Sequence, residues 1–376
     1  MDSEYQDVQV KEAELTLEQQ RTNTSDVIWY SPLEAPFAIA GLHWLSTEGK
    51  YRRLPVSPEH KIPEGVDWLA DHTAGGQIRF VTDSSKLFLR VKLSGPHDMY
   101  HMSATGQCGF DCYVEVDGHL HYRSTTAGWN PRDSEYESAL FFRDEAEKRL
   151  VVLNFPLYQG VEEIMVGLKR DAIVESPPAY EDPGKVIVYG TSITQGACAM
   201  RPGMCYTNIL SRRINREFIN LGFSGHGKGE AELAHIIASI SDPACLILDY
   251  EANSVSPERY AETLPRFVRI YREAHPEVPI LILSRLAFSF TRFDEEDSRL
   301  HQVRKHMQMT LVESLRQAGD RHIYFCDGEQ LLPQHALECF VDGTHPTDLG
   351  FVQMADGLEP VLREILARKS YHGLTQ

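Results

Sequence analysis

Val186-Ile-Val-Tyr-Gly-Thr-Ser-Ile-Thr-Gln-Gly196 is the stretch on which the reading of this chain turns. Val186 to Tyr189 is a short apolar run closed by Gly190, the pattern of a strand buried on both faces in a parallel sheet. Ser192 then falls just past the carboxyl end of the strand. That rim is where open α/β sheets bind ligands, and a helix opening there offers free N–H groups to developing negative charge. A serine so placed is a candidate nucleophile, and equally a turn serine or an N-cap; a short motif alone does not separate these.

The second informative stretch is Val341-Asp-Gly-Thr-His-Pro-Thr-Asp-Leu-Gly350, punctuated by Gly and Pro and so a loop before a last helix. A neutral histidine takes a serine proton well only when its other nitrogen is held in one tautomer, which a nearby carboxylate does. Asp342 and His345, three residues apart, supply orienter and base together. Without Ser192 the pair reads as well as an incidental Asp and His on a surface loop.

With both ends in view, the sequence resembles the SGNH (GDSL-type) serine hydrolases, block by block. Gly190-Thr-Ser-Ile193 resembles the nucleophile block, with Thr191 where the commonest form has Asp. Asn220-Leu-Gly-Phe-Ser-Gly225 is similar to the second block. Leu248-Asp-Tyr-Glu-Ala-Asn253 stands where the third carries Gly-x-Asn-Asp and matches only at Asn253; Asp342-Gly-Thr-His345 matches the last. Blocks in the family's order, over roughly half of the chain, are far more specific than any one of them.

The resemblance implies a flavodoxin-like three-layer α/β domain with a parallel sheet and catalysis by Ser192, His345 and Asp342. It implies an oxyanion hole made by the N–H groups of Ser192 and Gly225 and the side-chain amide of Asn253, with no metal and no organic cofactor. Gly190-Thr-Ser-Ile-Thr-Gln-Gly196 and Gly109-Phe-Asp-Cys-Tyr113 further resemble a subgroup with an all-β domain in front, which looks like the carbohydrate deacetylases. Plainer explanations stand beside these roles. Gly225 lies in a glycine-rich run where positive φ is reason enough, and Asn253 suits a turn or the cap of a helix after Ser256. His226 and Lys228 suggest a phosphate loop, but the first βα loop lacks the Gly-x-x-x-x-Gly-Lys-Ser/Thr spacing.

At 376 residues the chain suits two domains, each able to bury a core. Hydrophobic content of 42% and charged content of 24% are those of an ordinary globular protein. A formal net charge of -17 disfavours nucleic acid and anionic membrane as partners, since both call for basic patches, and is compatible with a neutral ester substrate. A homo-oligomer stays open. Met1 to Asp7 has neither the basic region nor the apolar core of a secretory signal, and no run of about 18 apolar residues appears. The seven cysteines lack Cys-x-x-Cys pairing, so a reduced, cytoplasmic protein is expected.

In chain order, residues 1–174 are expected to form a β-sandwich of jelly-roll type, 175–184 a Pro-rich linker and 185–376 the hydrolase domain. Residues 77–81 and 86–93 read as a hairpin, and Phe110 to Val116 as an alternating strand ending in the turn Asp117-Gly118. Beyond the linker, strands are expected at 186–189, 218–221, 245–249, 280–284 and 323–326. Helices are expected near 206–217, 229–240, 257–274 and 298–318 and after Thr347, so that the sheet is covered on both faces.

Substrate is less legible. Arg285-Leu-Ala-Phe-Ser-Phe-Thr-Arg-Phe293 lies on the reactive rim, and Arg285 and Phe288 are candidate sugar contacts there, against the alternative of an apolar cap on a neighbouring helix. Trp129 is the candidate contact from the β domain. His43, His72, His97, His101, His119 and His121 show no zinc-ligand spacing with cysteine and read mostly as strand or loop surface. The expected activity is hydrolysis of acetyl esters on a small-molecule or oligosaccharide substrate. The alternatives are a lipid-type or acyl-thioester hydrolase on the same scaffold, and a glycan-binding protein that has lost catalysis.

Overall fold

The computed structural model describes residues 24–143, 146–332 and 337–372, with side chains to residue 367. Most of the acidic first stretch lies outside these residues. Ahead of the linker run strands β1 (Val27–Tyr30), β2 (Ala38–Ala40), β3 (Gln77–Thr82), β4 (Lys86–Leu93), β5 (Asp111–Val116), β6 (His119–Thr125), β7 (Glu135–Phe142), β8 (Arg149–Asn154), β9 (Val161–Lys169) and β10 (Val174–Glu175). They make two antiparallel sheets, β1-β9-β4-β7 and β10-β3-β8-β5-β6, with β2 beside β3. Phe80, Leu89, Phe110, Leu153 and Val166 fill the space between the sheets.

Two expectations need correction or refinement here. β3 and β4 are not a hairpin: β3 pairs with β8 and β4 with β7 and β9, so residues 83–85 carry the chain from one sheet to the other. Alternation says which side chains face a core, and both strands do face it; it does not say which strand is the neighbour. β5 and β6 do form a hairpin, with Asp117 and Gly118 at φ of 51° and 76°, as a two-residue turn of twist-matched type requires.

After the linker come β11 (Lys185–Gly190), β12 (Phe218–Gly222), β13 (Pro243–Asp249), β14 (Ile280–Leu283) and β15 (Ile323–Cys326), all parallel in the order β12-β11-β13-β14-β15. Helices at Tyr206–Ile214 and Asp348–His372 contribute to the core containing Val186 and Val188. Helices at Ala231–Ala238, Pro257–Ala274 and Glu295–Gln317 contribute to the core containing Ile187 and Tyr189. That two-sided cover is why the strand carries no polar residue between Val186 and Tyr189. No helix among the described residues is long and apolar enough to cross a membrane.

The two halves are intergrown. Leu54, Ile62 and the helix Glu64–Ala70, all ahead of the linker, belong to the second of those cores, and Ala74, Met102, Leu157 and Tyr158 to the first. Each fully buried apolar side chain of this kind contributes about 1.5–3 kcal/mol. The linker itself is strapped down: Arg79 lies 3.8 Å over the Tyr180 ring, whose hydroxyl donates to Gln77 Oε1 at 2.8 Å. Gly109-Phe-Asp-Cys-Tyr113 is a clamp between the halves. The buried Asp111 carboxylate accepts from Arg201 Nη1 at 2.8 Å and the Gly203 N–H at 2.7 Å, and Arg201 Nη1 also donates to the Tyr113 hydroxyl at 2.6 Å.

Candidate active site

β11 ends at Gly190, where a side chain would collide with Thr194 Oγ1 and the Asp249 carbonyl. The chain then turns into a single helical turn, Ser192–Gln195, through a capping box between Thr191 and Thr194. This is what Thr191 does in place of the aspartate of the commonest block: its hydroxyl accepts the Ile193 N–H at 3.2 Å. Ser192 is left only 8% exposed at the rim.

The structure brings the two distant stretches together. Ser192 Oγ lies 2.9 Å from His345 Nε2, and His345 Nδ1 lies 2.7 Å from Asp342 Oδ2. Asp342 Oδ1 accepts the N–H groups of His345 at 2.8 Å and Thr344 at 3.0 Å. Partial burial works against the Asp342 charge, but those N–H groups and the His345 ring outweigh it and hold the carboxyl down at about 2. Asp342 therefore stays ionised beside the imidazole at neutral pH.

The other two candidate residues also stand just past the carboxyl ends of strands, Gly225 after β12 and Asn253 after β13. Gly225 has φ of 69° and open space where a side chain would stand. Asn253 spends one amide N–H on the Phe223 carbonyl at 3.2 Å, and a carboxamide has a second to give. Its short turn, Glu251–Asn253, is anchored by the buried Glu251 carboxylate, which accepts from the Arg285 N–H at 2.8 Å and faces His301 Nδ1 at 3.0 Å.

The β domain supports this rim from behind. Tyr158 donates to the Ser192 carbonyl at 3.1 Å. Gln195 Nε2 contacts His72 Nδ1 at 3.2 Å while its Oε1 accepts the Ser224 N–H at 3.1 Å. Arg53, fully buried, donates to the carbonyls of Leu69, His72, Asn220 and Gly222 and so ties β12 to the β domain. Burial pushes the Cys198 thiol up to about 12, which keeps it protonated and out of competition as a nucleophile.

The expected substrate contacts fare differently. The Arg285 side chain is 3% exposed, bonded to Asp297 Oδ2 at 2.7 Å and stacked over Phe288, and Phe288 is itself buried. Both hold the loop in place and neither offers a face to a ligand. Trp129 stacks on Tyr136 at 4.7 Å and packs on the sandwich core. The residue the β domain does send to the site is His101, whose ring centroid lies 5.6 Å from that of His345. Sequence reasoning placed His101 among surface histidines, and no spacing in the chain marks it otherwise. His72 also departs from that reading: it is buried.

Residues 184–363 match the GDSL-like lipase/acylhydrolase family, and residues 27–174 match a family described as the N-terminus of SGNH hydrolase-type esterases. A solved Bacteroides ovatus structure, assigned to the GDSL-like lipases, is 30% identical with a TM-score of 0.82, the match covering 91% of this chain and 98% of that one. A salicylyl-acyltransferase from a tetracycline biosynthetic pathway is 22% identical with a TM-score of 0.72 over the same shares, 91% and 98%. A family two carbohydrate esterase from Cellvibrio japonicus, 14% identical with a TM-score of 0.56, is covered to 98% by 91% of this chain. These last two show a common fold. No curated protein matches the sequence.

Proposed function

The chain belongs to the GDSL-like lipase/acylhydrolase family, with an SGNH-type N-terminal domain in front, and from that premise we propose that it is a serine esterase removing short acyl groups, acetyl above all, from an O-acylated carbohydrate. The observation that carries the reading is the unbroken relay from Ser192 Oγ through His345 to Asp342. Ser192 attacks the ester carbonyl while His345 Nε2 takes its proton and then delivers it to the leaving alcohol. Asp342 fixes the tautomer and stabilises the imidazolium, and water repeats the cycle on the acyl-enzyme. The N–H groups of Ser192 and Gly225 and the amide of Asn253 meet the oxyanion, each such donor being worth about 3 kcal/mol.

The carbohydrate part of the proposal rests on two supports. The fold, both halves included, is shared with the carbohydrate esterase from Cellvibrio japonicus. Tyr100, 93% exposed, stands beside His101 at 4.6 Å and offers an aromatic face to one side of a sugar ring. The test is a panel of aryl esters of increasing acyl length together with acetylated oligosaccharides, run on the wild type and on Ser192→Ala. Rates are expected to fall with acyl length, and Ser192→Ala to lose roughly 10⁴-fold or more with an unchanged melting temperature. A Ser192→Ala variant that keeps most of its rate removes the nucleophile from the proposal; a preference for long acyl chains replaces the carbohydrate ester with a lipid.

A further inference from the structure

We propose that His101, Cys198 and His345 form a zinc site whose occupation switches the esterase off. One ligand atom from each lies within 4.8 Å of the others, across the junction of the two halves. Around a tetrahedral zinc, bonds of about 2.0 Å to nitrogen and 2.3 Å to sulfur put neighbouring donors roughly 3.3–3.5 Å apart. The cluster closes with movements of about an ångström, and His101 sits on an irregular stretch between β4 and the short helix Ala104–Gln107 that can supply them.

Independent features point to a ligand. His101 Nδ1 is buried and has no hydrogen-bond partner among the described residues, a state that costs about 1–3 kcal/mol and that a cation on this nitrogen relieves. His345 is already oriented as a metal ligand: Asp342 holds its Nδ1 side, the arrangement by which a carboxylate orients a zinc-binding imidazole, and its Nε2 lone pair, which faces Ser192 Oγ at 2.9 Å, passes to a metal that displaces that hydroxyl. The loops carrying His101 and Cys198 are fastened to each other, since Ser103 Oγ and Thr105 Oγ1 both donate to the Met200 carbonyl, at 2.8 and 2.6 Å. Two imidazoles and a thiolate select zinc or copper over magnesium or calcium, and the fourth position goes to water.

The inhibitory consequence rests on the reading of His345 as the general base. A metal on Nε2 occupies the lone pair that would receive the serine proton, and Cys198 gives its own proton to solvent when it ligates. The site is therefore a brake and not a catalytic zinc.

The experiment has two arms. In the first, ester hydrolysis is followed against buffered free zinc for the wild type, His101→Ala, His101→Gln and Cys198→Ser, each normalised to its own rate in chelator. Zinc is expected to inhibit the wild type reversibly, with magnesium inert. Each substitution should raise the half-inhibitory concentration by at least about tenfold, the scale on which even outer partners of a metal ligand count. In the second arm cobalt(II) is added to the metal-free protein: a thiolate-to-cobalt absorption band is expected in the wild type and absent in Cys198→Ser. This arm reads the site without any turnover, so its result stands even if the esterase assignment fails. No cobalt–thiolate band in the wild type, or equal zinc inhibition in all folded variants, overturns the proposal.

Discussion

The loops of the proposed nucleophile and the proposed base meet at one hydrogen bond but are held in different ways. Residues 190–196 are buried and capped by their own threonines, held within the hydrolase half by Thr194 donating to the buried Asp249 at 2.7 Å and gripped from the β half by Tyr158 donating to the Ser192 carbonyl. Residues 342–345 lie near solvent and are held largely by themselves: Asp342 binds the backbone of its own turn, and Ser289 N–H reaches the Gly343 carbonyl at 3.0 Å. The aspartates under the two loops respond in opposite directions. Burial pushes Asp249 up to about 7, whereas hydrogen bonds from Thr344 and His345 bring Asp342 down to about 2 against its partial burial. The proposed nucleophile is thus set on a buried platform whose cost is carried by a buried acid, and the proposed base is placed by a short local turn that little else depends on.

If that contrast holds, changes in the base loop should alter rate and leave stability alone. Asp342→Asn is expected to lower kcat by roughly 10⁴-fold through the wrong tautomer, with a small shift in melting temperature. A large loss of stability instead would mean that the base loop, too, is part of the platform.

Changes under the nucleophile should show first in stability. Arg53→Met removes a buried guanidinium from four carbonyls of two chain segments and should destabilise by on the order of 3–5 kcal/mol in urea unfolding. A near-neutral result would show that Arg53 is not what ties β12 to the β domain.

The two aspartates give a finer test. A free aspartate titrates near 3.8; between about 4 and 7 the unfolded chain releases the Asp249 proton while the folded chain keeps it. Stability contributed by this group therefore falls as pH rises through that window and levels off above it. Asp342 has the other sign: its contribution is complete above its unfolded value of 3.8 and is lost as pH falls towards about 2. Asp249→Asn should flatten the slope of stability from pH 4 to 7 and leave the acid limb; an unchanged slope would place the Asp249 proton elsewhere.

The same contrast explains what could be read from the sequence. Val186 to Tyr189 are apolar at every position because helices cover both faces, and the helix Pro257–Ala274 announces its start through Ser256, whose side chain accepts the Arg259 N–H, followed by Pro257. Local chemistry writes such features into neighbouring residues. The loop of Asp342 and His345 was legible for the same reason, being self-contained. Partners that meet only after folding were not: β3 and β4 part company between sheets, and the loop after β14 turns Arg285 inward because Asp297 and Glu251 are waiting there. His101 and Arg53 belong to the same class, since each also reaches groups in the other half of the chain.

Tyr158→Phe is the mildest of these tests and the one closest to the reacting atoms. Burial pushes its phenol far up, so the hydroxyl remains a donor at every working pH. The Ser192 carbonyl it serves also accepts the N–H groups of Gly196 and Ala197, each at 2.9 Å, so deleting the hydroxyl leaves that oxygen satisfied. The loss of stability should accordingly stay at about 1 kcal/mol or below. If the β half only shores up the turn, kcat and KM should both remain close to wild type. If the bond fixes the height of Ser192 Oγ against His345, kcat should fall by up to about tenfold, some 1.4 kcal/mol, with KM unmoved, because only the transition state feels the misplacement. We expect the second outcome, since a 2.9 Å contact between Ser192 and His345 leaves little slack, and steady-state kinetics alongside one melting curve distinguishes the two.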